Sequence, residues 1–118
     1  MEPDALGSRR AAYVRLLEAA LTSAVDKLQK LEGVTHIGVF GSYARGRRDL
    51  VTDLDLLVIM DTSMGYVERL RFLYPYLSLP VDVDLLCYTP EEFRALKDQR
   101  FFRRILQEEQ VLYAKEPV

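Results

Sequence analysis

Cysteine and histidine are nearly absent from this sequence of 118 residues, which contains one of each, Cys87 and His36. A single cysteine excludes an internal disulfide and agrees with a reducing compartment. Because Cys87 lies in an apolar run, we interpret it as a core residue rather than a nucleophile. His36 has no second histidine or cysteine nearby, and this favours a structural role over zinc binding.

Long apolar runs and a strong net charge are also lacking. The longest apolar stretch, Leu54 with Leu56 to Met60, is far shorter than a membrane span, and the N-terminus carries no basic-then-apolar signal. We therefore expect a cytoplasmic protein with no membrane partner. The net charge of −2 gives no general attraction to nucleic acid, so direct nucleic-acid binding is not expected.

The length and the apolar pattern indicate one α/β domain. We expect residues 1–118 to form a single domain with one core, in which residues 1–7 and 114–118 are loose. The elements predict a small mixed β-sheet with helices packed against it. They are a helix over Ser8–Leu31, strands over Val34–Phe40, Thr52–Met60 and Val81–Tyr88, helices after Ser63 and Thr89, a helix around Phe101–Leu106, and a short strand or packed tail at Val111–Tyr113.

Two helix starts can be predicted in more detail. Ser63 is expected to cap a helix that Pro75 distorts or ends. The inward-facing residues of that helix are predicted to be Val67, Leu70, Leu73 and Leu77. In Thr89-Pro90-Glu91-Glu92, the threonine and Glu92 predict a capping box, with proline in the first turn.

Two carboxylates, Asp53 and Asp55, stand at the head of an apolar strand. Side chains alternate along a strand, so both point the same way, with Cα atoms roughly 6–7 Å apart. They repel each other unless a cation neutralises them, and oxygen ligands of this kind suit Mg²⁺ or Mn²⁺. An isolated Asp-x-Asp pair is often merely solvated, so the interpretation depends on the residues around it.

A third carboxylate is expected from the next strand, which offers Asp82 and Asp84 on one face. Charged side chains are costly in a sheet unless they are paired or bound to metal. We favour Asp84 as the metal ligand because it lies deeper in the strand. Asp82 stays open as the alternative, with a solvated edge position as its other interpretation.

A Gly41-Ser42 turn follows the first strand and precedes a short basic segment. Its backbone N–H groups and the Ser42 hydroxyl can bind phosphate oxygens, and Gly41 allows a ligand to approach closely. A tight turn with a helix cap at Ser42 is the simpler alternative. Arg45, Arg47 and Arg48 form by default a solvated loop; next to an acidic metal site, Arg45 is the one best placed to reach a triphosphate.

The arrangement of Gly41-Ser42, ten residues and Asp53-x-Asp55 resembles the signature of the nucleotidyltransferase superfamily that includes DNA polymerase beta. Residues 41–46 and 83–93 are similar to its smallest branch, the minimal nucleotidyltransferases, and the similarity runs from about Thr35 to Phe93. This chain departs from the pattern in having Thr52 where serine is common, which keeps a hydroxyl.

The resemblance implies transfer of a nucleoside monophosphate, usually AMP from ATP, to a hydroxyl with release of pyrophosphate. It implies that Asp53, Asp55 and Asp84 bind Mg²⁺ (or Mn²⁺) and carry catalysis, and that Gly41, Ser42 and Arg45 bind the nucleoside triphosphate. Members of this branch are similar to antitoxins of HEPN-domain ribonucleases, which they silence by adenylylating a tyrosine or by binding.

The leading hypothesis is therefore a protein adenylyltransferase that acts as the antitoxin of a HEPN ribonuclease toxin. Nothing in the sequence corresponds to the extra acceptor-holding domain of larger relatives, so we expect the acceptor to come from a partner protein or from a second copy in a homo-oligomer. The alternative is a non-catalytic nucleotide-binding antitoxin that occludes its partner. Transfer to a small molecule such as an aminoglycoside is a third hypothesis, and the missing second domain argues against it.

Overall fold

The computed structural model describes residues 5–115, which form five helices and four strands. The helices are α1 (Ala5–Gln29), α2 (Gly41–Ala44), α3 (Tyr66–Leu77), α4 (Pro90–Leu96) and α5 (Arg100–Glu108). The strands are β1 (Val34–Phe40), β2 (Leu54–Met60), β3 (Val83–Tyr88) and β4 (Gln110–Ala114). Among these residues, no helix combines the length and the apolar character needed to cross a membrane.

The four strands form one mixed sheet in the order β3, β2, β1, β4. Strand β1 runs antiparallel to both β2 and β4, whereas β2 and β3 are parallel. This architecture confirms the predicted mixed α/β sheet. Strand β2 lies in the interior of the sheet, and every residue from Leu54 to Met60 is buried except Asp55, as its nearly continuous apolar sequence predicts.

Two hydrophobic clusters cover the two faces of the sheet. The larger one joins Leu17, Ala24 and Leu28 of α1 and Leu73 of α3 to alternate residues of the strands. The smaller one joins Leu57 and Ile59 of β2 to Phe102 and Ile105 of α5, with Phe93 and Leu96 of α4 at its margin. Asp55 has the same alternation as Leu57 and Ile59, and therefore lies on the face that α5 covers.

Cys87 is fully buried in the larger cluster, which confirms its interpretation as a core residue. Burial raises the pKa of its thiol to about 11, because the apolar surroundings disfavour the thiolate. The side chain is therefore protonated at neutral pH and has no nucleophilic character.

The helix predicted after Ser63 is wrong at its start and in one inward-facing residue. The Thr62 hydroxyl accepts the Met64 N–H in a tight turn, so α3 begins at Tyr66 instead of next to Ser63. With this start Leu73 and Leu77 are buried, but Val67 is 59% exposed and the buried residue in the first turns is Arg69. The helix continues through Pro75 and ends two residues later, where Ser78 adopts a left-handed conformation.

The capping box at Thr89 is confirmed and has an additional partner. Thr89 Oγ1 accepts the Glu92 N–H at 3.2 Å, and Glu92 Oε1 accepts the Thr89 N–H at 2.9 Å. The same carboxylate binds both terminal nitrogens of buried Arg69, at 2.7 and 3.1 Å. These bonds lower the pKa of Glu92, with the Arg69 hydrogen bond as the largest cause. The start of α4 is thereby tied to the interior of α3.

Residues near both chain ends differ from the predicted loose termini. Residues 5–7 form the first turn of α1, and Ala114 pairs with His36 across β1 and β4. The Lys115 N–H also donates to the Thr35 carbonyl oxygen, at 2.8 Å. The remaining parts of that prediction, residues 1–4 and 116–118, lie outside the described residues.

Candidate nucleotidyl-transfer site

The parallel pair β2 and β3 brings three carboxylates together at the start of both strands. Asp55 and Asp84 are direct partners in the register. Asp53 precedes β2 by one residue and lies on the same side as Asp55, while Leu54 between them is buried on the opposite side. The predicted juxtaposition of Asp53 with Asp55 is therefore present, and Asp84 adjoins it.

Mutual repulsion and burial mark Asp55 as the centre of this group. Its pKa is raised to about 6, first by burial, then by the charges of Asp53 and Asp84 and by a hydrogen bond with Asp84. The Arg45 charge opposes this shift. A bound cation would favour the ionised form and remove the repulsion.

Asp82 lies outside the strand and further from the centre. It precedes β3, is exposed, and its carbonyl oxygen accepts the Leu54 N–H at 3.1 Å. Its negative charge raises the pKa of the Tyr13 hydroxyl, after burial, the larger cause. Between the two residues left open by the sequence, the register puts Asp84 beside Asp55.

The Gly41-Ser42 turn directly faces Asp55. Phe40, the last residue of β1, is the register partner of Asp55, and Gly41 follows with a positive φ of 74°. A Cβ atom at Gly41 would collide with the Asp55 carboxylate. Glycine is therefore required here both for the backbone conformation and for the close approach. Ser42 lies inside α2, whose N-cap is Phe40, so Ser42 is not the helix cap of the simpler alternative.

Arg45 ends α2 and is held by a residue that the sequence did not suggest. Its Nη1 atom donates to Glu108 Oε2 at 2.9 Å, and Glu108 Oε1 accepts the Gly41 N–H, also at 2.9 Å. Glu108 is 67 residues from Gly41 in the chain. No local sequence pattern predicts such a contact. The feature of the sequence that could have drawn attention to Glu108 is the acidic Glu108-Glu109 pair before the predicted terminal strand.

The other two arginines of the basic segment fold the loop. Arg48 places its guanidinium carbon 3.5 Å from the centre of the Tyr43 ring and donates to the Tyr43 carbonyl oxygen at 2.7 Å. Arg47 donates to Asp49 at 2.8 Å. Arg45 is thus the arginine of this segment that the fold holds beside the carboxylates.

A second set of contacts fixes the loop that leads into Asp53. Thr52 is buried, and its hydroxyl donates to Asp49 Oδ1 while accepting the Asp49 N–H, both at 3.0 Å. The Tyr13 hydroxyl donates to the Thr52 carbonyl oxygen at 2.8 Å. The Thr52 hydroxyl, which a serine at this position would also provide, therefore holds the loop in place. Sequence reasoning missed Tyr13 and Asp49, because neither belongs to the motif.

The donor set is of the kind that suits a hard divalent cation. Asp53, Asp55 and Asp84 present carboxylate oxygens, which Mg²⁺ and Mn²⁺ accept together with water and phosphate oxygens. Within residues 5–115, no three histidine, cysteine, aspartate or glutamate side chains form a ready-made metal cage.

Comparison with known proteins identifies the family. The nucleotidyltransferase domain family matches residues 21–107, which include Asp53, Asp55, Asp82 and Asp84 as well as Gly41, Ser42 and Arg45, but not Glu108. The chain belongs to this family. Membership confirms the prediction that the protein is a nucleotidyltransferase and agrees with the observed fold.

Two relatives of this nucleotidyltransferase come from archaea. The protein adenylyltransferase MntA of Thermococcus cleftensis is 36% identical over 70 residues, which cover 57% of this chain and 71% of the relative. The MJ0604 protein of Methanocaldococcus jannaschii, whose name marks it as a candidate protein adenylyltransferase, is 33% identical over 100 residues. That match covers 81% of this chain and 97% of the relative. Both names support the resemblance to minimal nucleotidyltransferases.

Solved structures show the same fold in distant relatives. A mutant form of the MntA–HpeT toxin–antitoxin complex has a chain that superposes with a TM-score of 0.56 at 19% identity, covering 84% of this chain and 73% of that one. A candidate nucleotidyltransferase from Sulfolobus solfataricus gives a TM-score of 0.53 at 16% identity, covering 89% and 83%. At these identities the similarity concerns the fold.

Proposed function

We propose that this nucleotidyltransferase transfers AMP from ATP to a hydroxyl group of a partner protein in a Mg²⁺-dependent reaction. The observation that carries the proposal is the convergence of Asp53, Asp55 and Asp84 in front of the Gly41-Ser42 turn and Arg45. The protein as acceptor is supported by the names of the two archaeal relatives.

We further propose that the partner is a toxin and that this chain is its antitoxin. Support comes from the structural similarity to a chain of the MntA–HpeT toxin–antitoxin complex. The assignment of the partner to the HEPN-domain ribonucleases rests on the resemblance of residues 41–46 and 83–93 to minimal nucleotidyltransferases. A protein partner also supplies the acceptor that larger enzymes hold with a further domain.

Each group of the site has a defined task in this reaction. Asp53, Asp55 and Asp84 would hold Mg²⁺ (or Mn²⁺), which when bound stabilises negative charge on the attacking and leaving oxygens. The N–H groups and hydroxyl of the Gly41-Ser42 turn would hold phosphate oxygens, and Arg45 would balance the charge of the triphosphate.

The transfer itself is an in-line displacement. The acceptor oxygen forms a bond to the α-phosphorus of ATP, while the bond from the α-phosphorus to the bridging oxygen of the β-phosphate breaks and pyrophosphate leaves. Asp84, at the exposed end of the carboxylate group, receives the proton of the acceptor hydroxyl. The product is a phosphodiester between the partner protein and adenosine.

The test uses ATP labelled at the α-phosphate, Mg²⁺ and the product of an adjacent HEPN-type gene, followed by intact-mass analysis of both proteins. We expect the partner to gain the mass of one or more AMP units with the native protein and with Asp26→Asn, a matched change at an exposed aspartate. The Asp53→Asn variant should give no mass gain. A stable complex without any mass gain would instead indicate a non-catalytic antitoxin that occludes its partner.

A further inference from the structure

The junction between α5 and β4 forms hydrogen bonds with both ends of the short helix α2. Glu108 accepts the Gly41 N–H with one carboxylate oxygen and the Arg45 Nη1–H with the other, both at 2.9 Å. Two residues later, Gln110 Nε2 donates to the Ala44 carbonyl oxygen at 3.1 Å. The first residue of α2, its last residue and its C-cap are thus all bound by residues 108–110.

The neighbouring Glu109 anchors this junction to the sheet. Its Oε2 atom lies 2.6 Å from His36 Nε2 of β1, and its side chain packs against the backbone of Gly38, where a Cβ atom would collide with it. Strand β4 then pairs with β1 from Val39↔Gln110 onward. Glu108 therefore projects from a segment that is itself fixed to the strand preceding Gly41.

The Glu108 side chain carries a negative charge at neutral pH. Burial works to raise the pKa of Glu108, but hydrogen bonds from Arg45 and Gly41 and the positive charges of Arg45 and Arg104 outweigh it, so the pKa is lowered. The carboxylate keeps both partners in one geometry, since each of its oxygens has its own donor.

Both groups that Glu108 holds border Asp55. Gly41 touches the Asp55 carboxylate, and the positive charge of Arg45 opposes the upward shift of the Asp55 pKa. A guanidinium has five N–H donors, and the bond to Glu108 uses one, so the others can reach an anionic ligand. Without Glu108, Arg45 would be a long side chain on an exposed loop with no fixed direction.

We propose that Glu108 is a positioning residue for nucleotidyl transfer, which aligns the Gly41 backbone and the Arg45 guanidinium with the triphosphate of the incoming nucleotide. This inference rests on the proposed function, because it assumes that Arg45 and the Gly41-Ser42 turn meet the phosphates. Glu108 acts through these two groups and has no contact of its own with the reacting atoms.

The test compares nucleotide affinity by titration calorimetry, with Mg·ATP and with AMP as probes. Glu108→Gln keeps the size of the side chain but sets an amide against Arg45, and Glu108→Ala removes both bonds. We expect the affinity for Mg·ATP to fall about tenfold in either variant, while the affinity for AMP, with a single phosphate, changes less than about twofold. A general loss of structure would weaken both nucleotides alike.

Two further variants complete the design. In an Arg45→Ala background, Glu108→Gln should change Mg·ATP affinity by less than about threefold, because the Arg45 guanidinium is gone and the glutamine oxygen can still accept the Gly41 N–H. Glu91→Gln is the matched control: Glu91 is 73% exposed at its side chain, and its ion pair with Arg94 is long, at 3.7 Å. It should bind both nucleotides like the native protein.

The outcomes separate the inference from the function on which it rests. Tighter Mg·ATP binding in the Glu108 variants would make this carboxylate a competitor of the nucleotide and overturn the inference. Unchanged binding in those variants, together with weakened binding in Arg45→Ala and Asp53→Asn, would overturn the inference and leave the proposed function standing. If Arg45→Ala and Asp53→Asn also bound Mg·ATP normally, both would fail.

Discussion

At the scale of single residues, Gly41 combines a positive φ with a close approach to Asp55. A comparison with Gly46 separates the energetic effects of these two features. Gly41 and Gly46 both have positive φ, but a Cβ atom at Gly41 meets Asp55, whereas one at Gly46 meets nothing within 4 Å. Gly46→Ala should lower the free energy of unfolding by about 1–2 kcal/mol, from backbone strain alone. Gly41→Ala adds the collision and should cost about 2–4 kcal/mol.

Urea denaturation of the two variants measures this difference. Gly41→Ala should in addition lose Mg·ATP binding, because any relief of the collision displaces Asp55 or the turn. Equal losses of stability in the two variants would show that the close approach to Asp55 has no energetic weight.

Asp55 gives the metal-free protein a characteristic dependence on pH. The folded state holds this proton up to about pH 6, whereas the unfolded chain releases it near the ordinary value of 3.8. Between these values the folded state binds more protons, so stability falls as the pH rises and then stays low. In EDTA, Asp55→Asn should be more stable than the native protein above about pH 6, by about 1–2 kcal/mol after allowance for solvent screening.

Well below pH 3.8 the two proteins should be equally stable, since Asp55 is then neutral in both states. Asp26→Asn, at an exposed pair with Lys30, serves as the control and should differ from the native protein by about 0.5 kcal/mol or less. An Asp55→Asn variant less stable than the native protein at neutral pH would contradict the repulsion at this site.

At the scale of elements, the capping box of α4 is also the counter-charge of a buried arginine. Arg69 is 3% exposed and depends on Glu92, which itself is partly open to solvent. Glu92→Ala should lower the free energy of unfolding by about 2–3 kcal/mol, less than for a fully buried pair. Glu91→Ala, one residue earlier, should cost no more than about 0.5 kcal/mol.

The pH dependence of this pair has the opposite sign to that of Asp55. Because the pKa of Glu92 is lowered on folding, its contribution is complete above the unfolded value of 4.5 and is lost as the pH falls through the lower folded value. Thermal unfolding of Glu92→Ala and the native protein should therefore converge in acid. A constant difference down to the lowest pH would rule out the ionic part of the contribution.

Elements with strong local signals could be predicted from the sequence, and those that depend on distant partners could not. Strand β1 matches its predicted bounds, and α4 begins at its capping box, since both signals are local. The face of α3 was predicted wrongly because an arginine reads as an exposed residue, and only the position of Glu92 in space makes its burial tolerable. Strand β2 begins later than predicted, because Thr52 is bound by the loop.

At the scale of the whole molecule, nucleotide binding should stabilise the fold. A ligand that binds only the folded state at 100 times its dissociation constant adds about 2.7 kcal/mol to the free energy of unfolding. We expect Mg·ATP to raise the thermal midpoint of the native protein, with AMP or EDTA-treated ATP giving a smaller rise. Asp53→Asn should show no rise with Mg·ATP, and a rise equal to that of the native protein would place the nucleotide elsewhere.

Only the part of the site whose residues are close in sequence could be predicted. Gly41, Ser42, Asp53 and Asp55 follow from spacing within one stretch of sequence, and Asp84 was preferred over Asp82 on the next strand; the register pairs Asp55 with Phe40 and with Asp84. The other part, with Glu108 and the loop contacts of Tyr13, depends on how α1 packs against the sheet and how β4 pairs with β1. Sheet order and docking are set by long-range packing, which leaves no short pattern in the sequence.

The hydrogen bond between Glu108 and Gly41 also affects the order in which the parts of the site form. It joins residues 67 positions apart, so Gly41, Asp53 and Asp84 are all synthesised before Glu108. Closing so long a loop carries an entropy cost that local contacts do not have. We therefore expect the Glu108–Arg45 contact to be among the last features to form during folding. Nucleotide affinity should accordingly appear later than secondary structure.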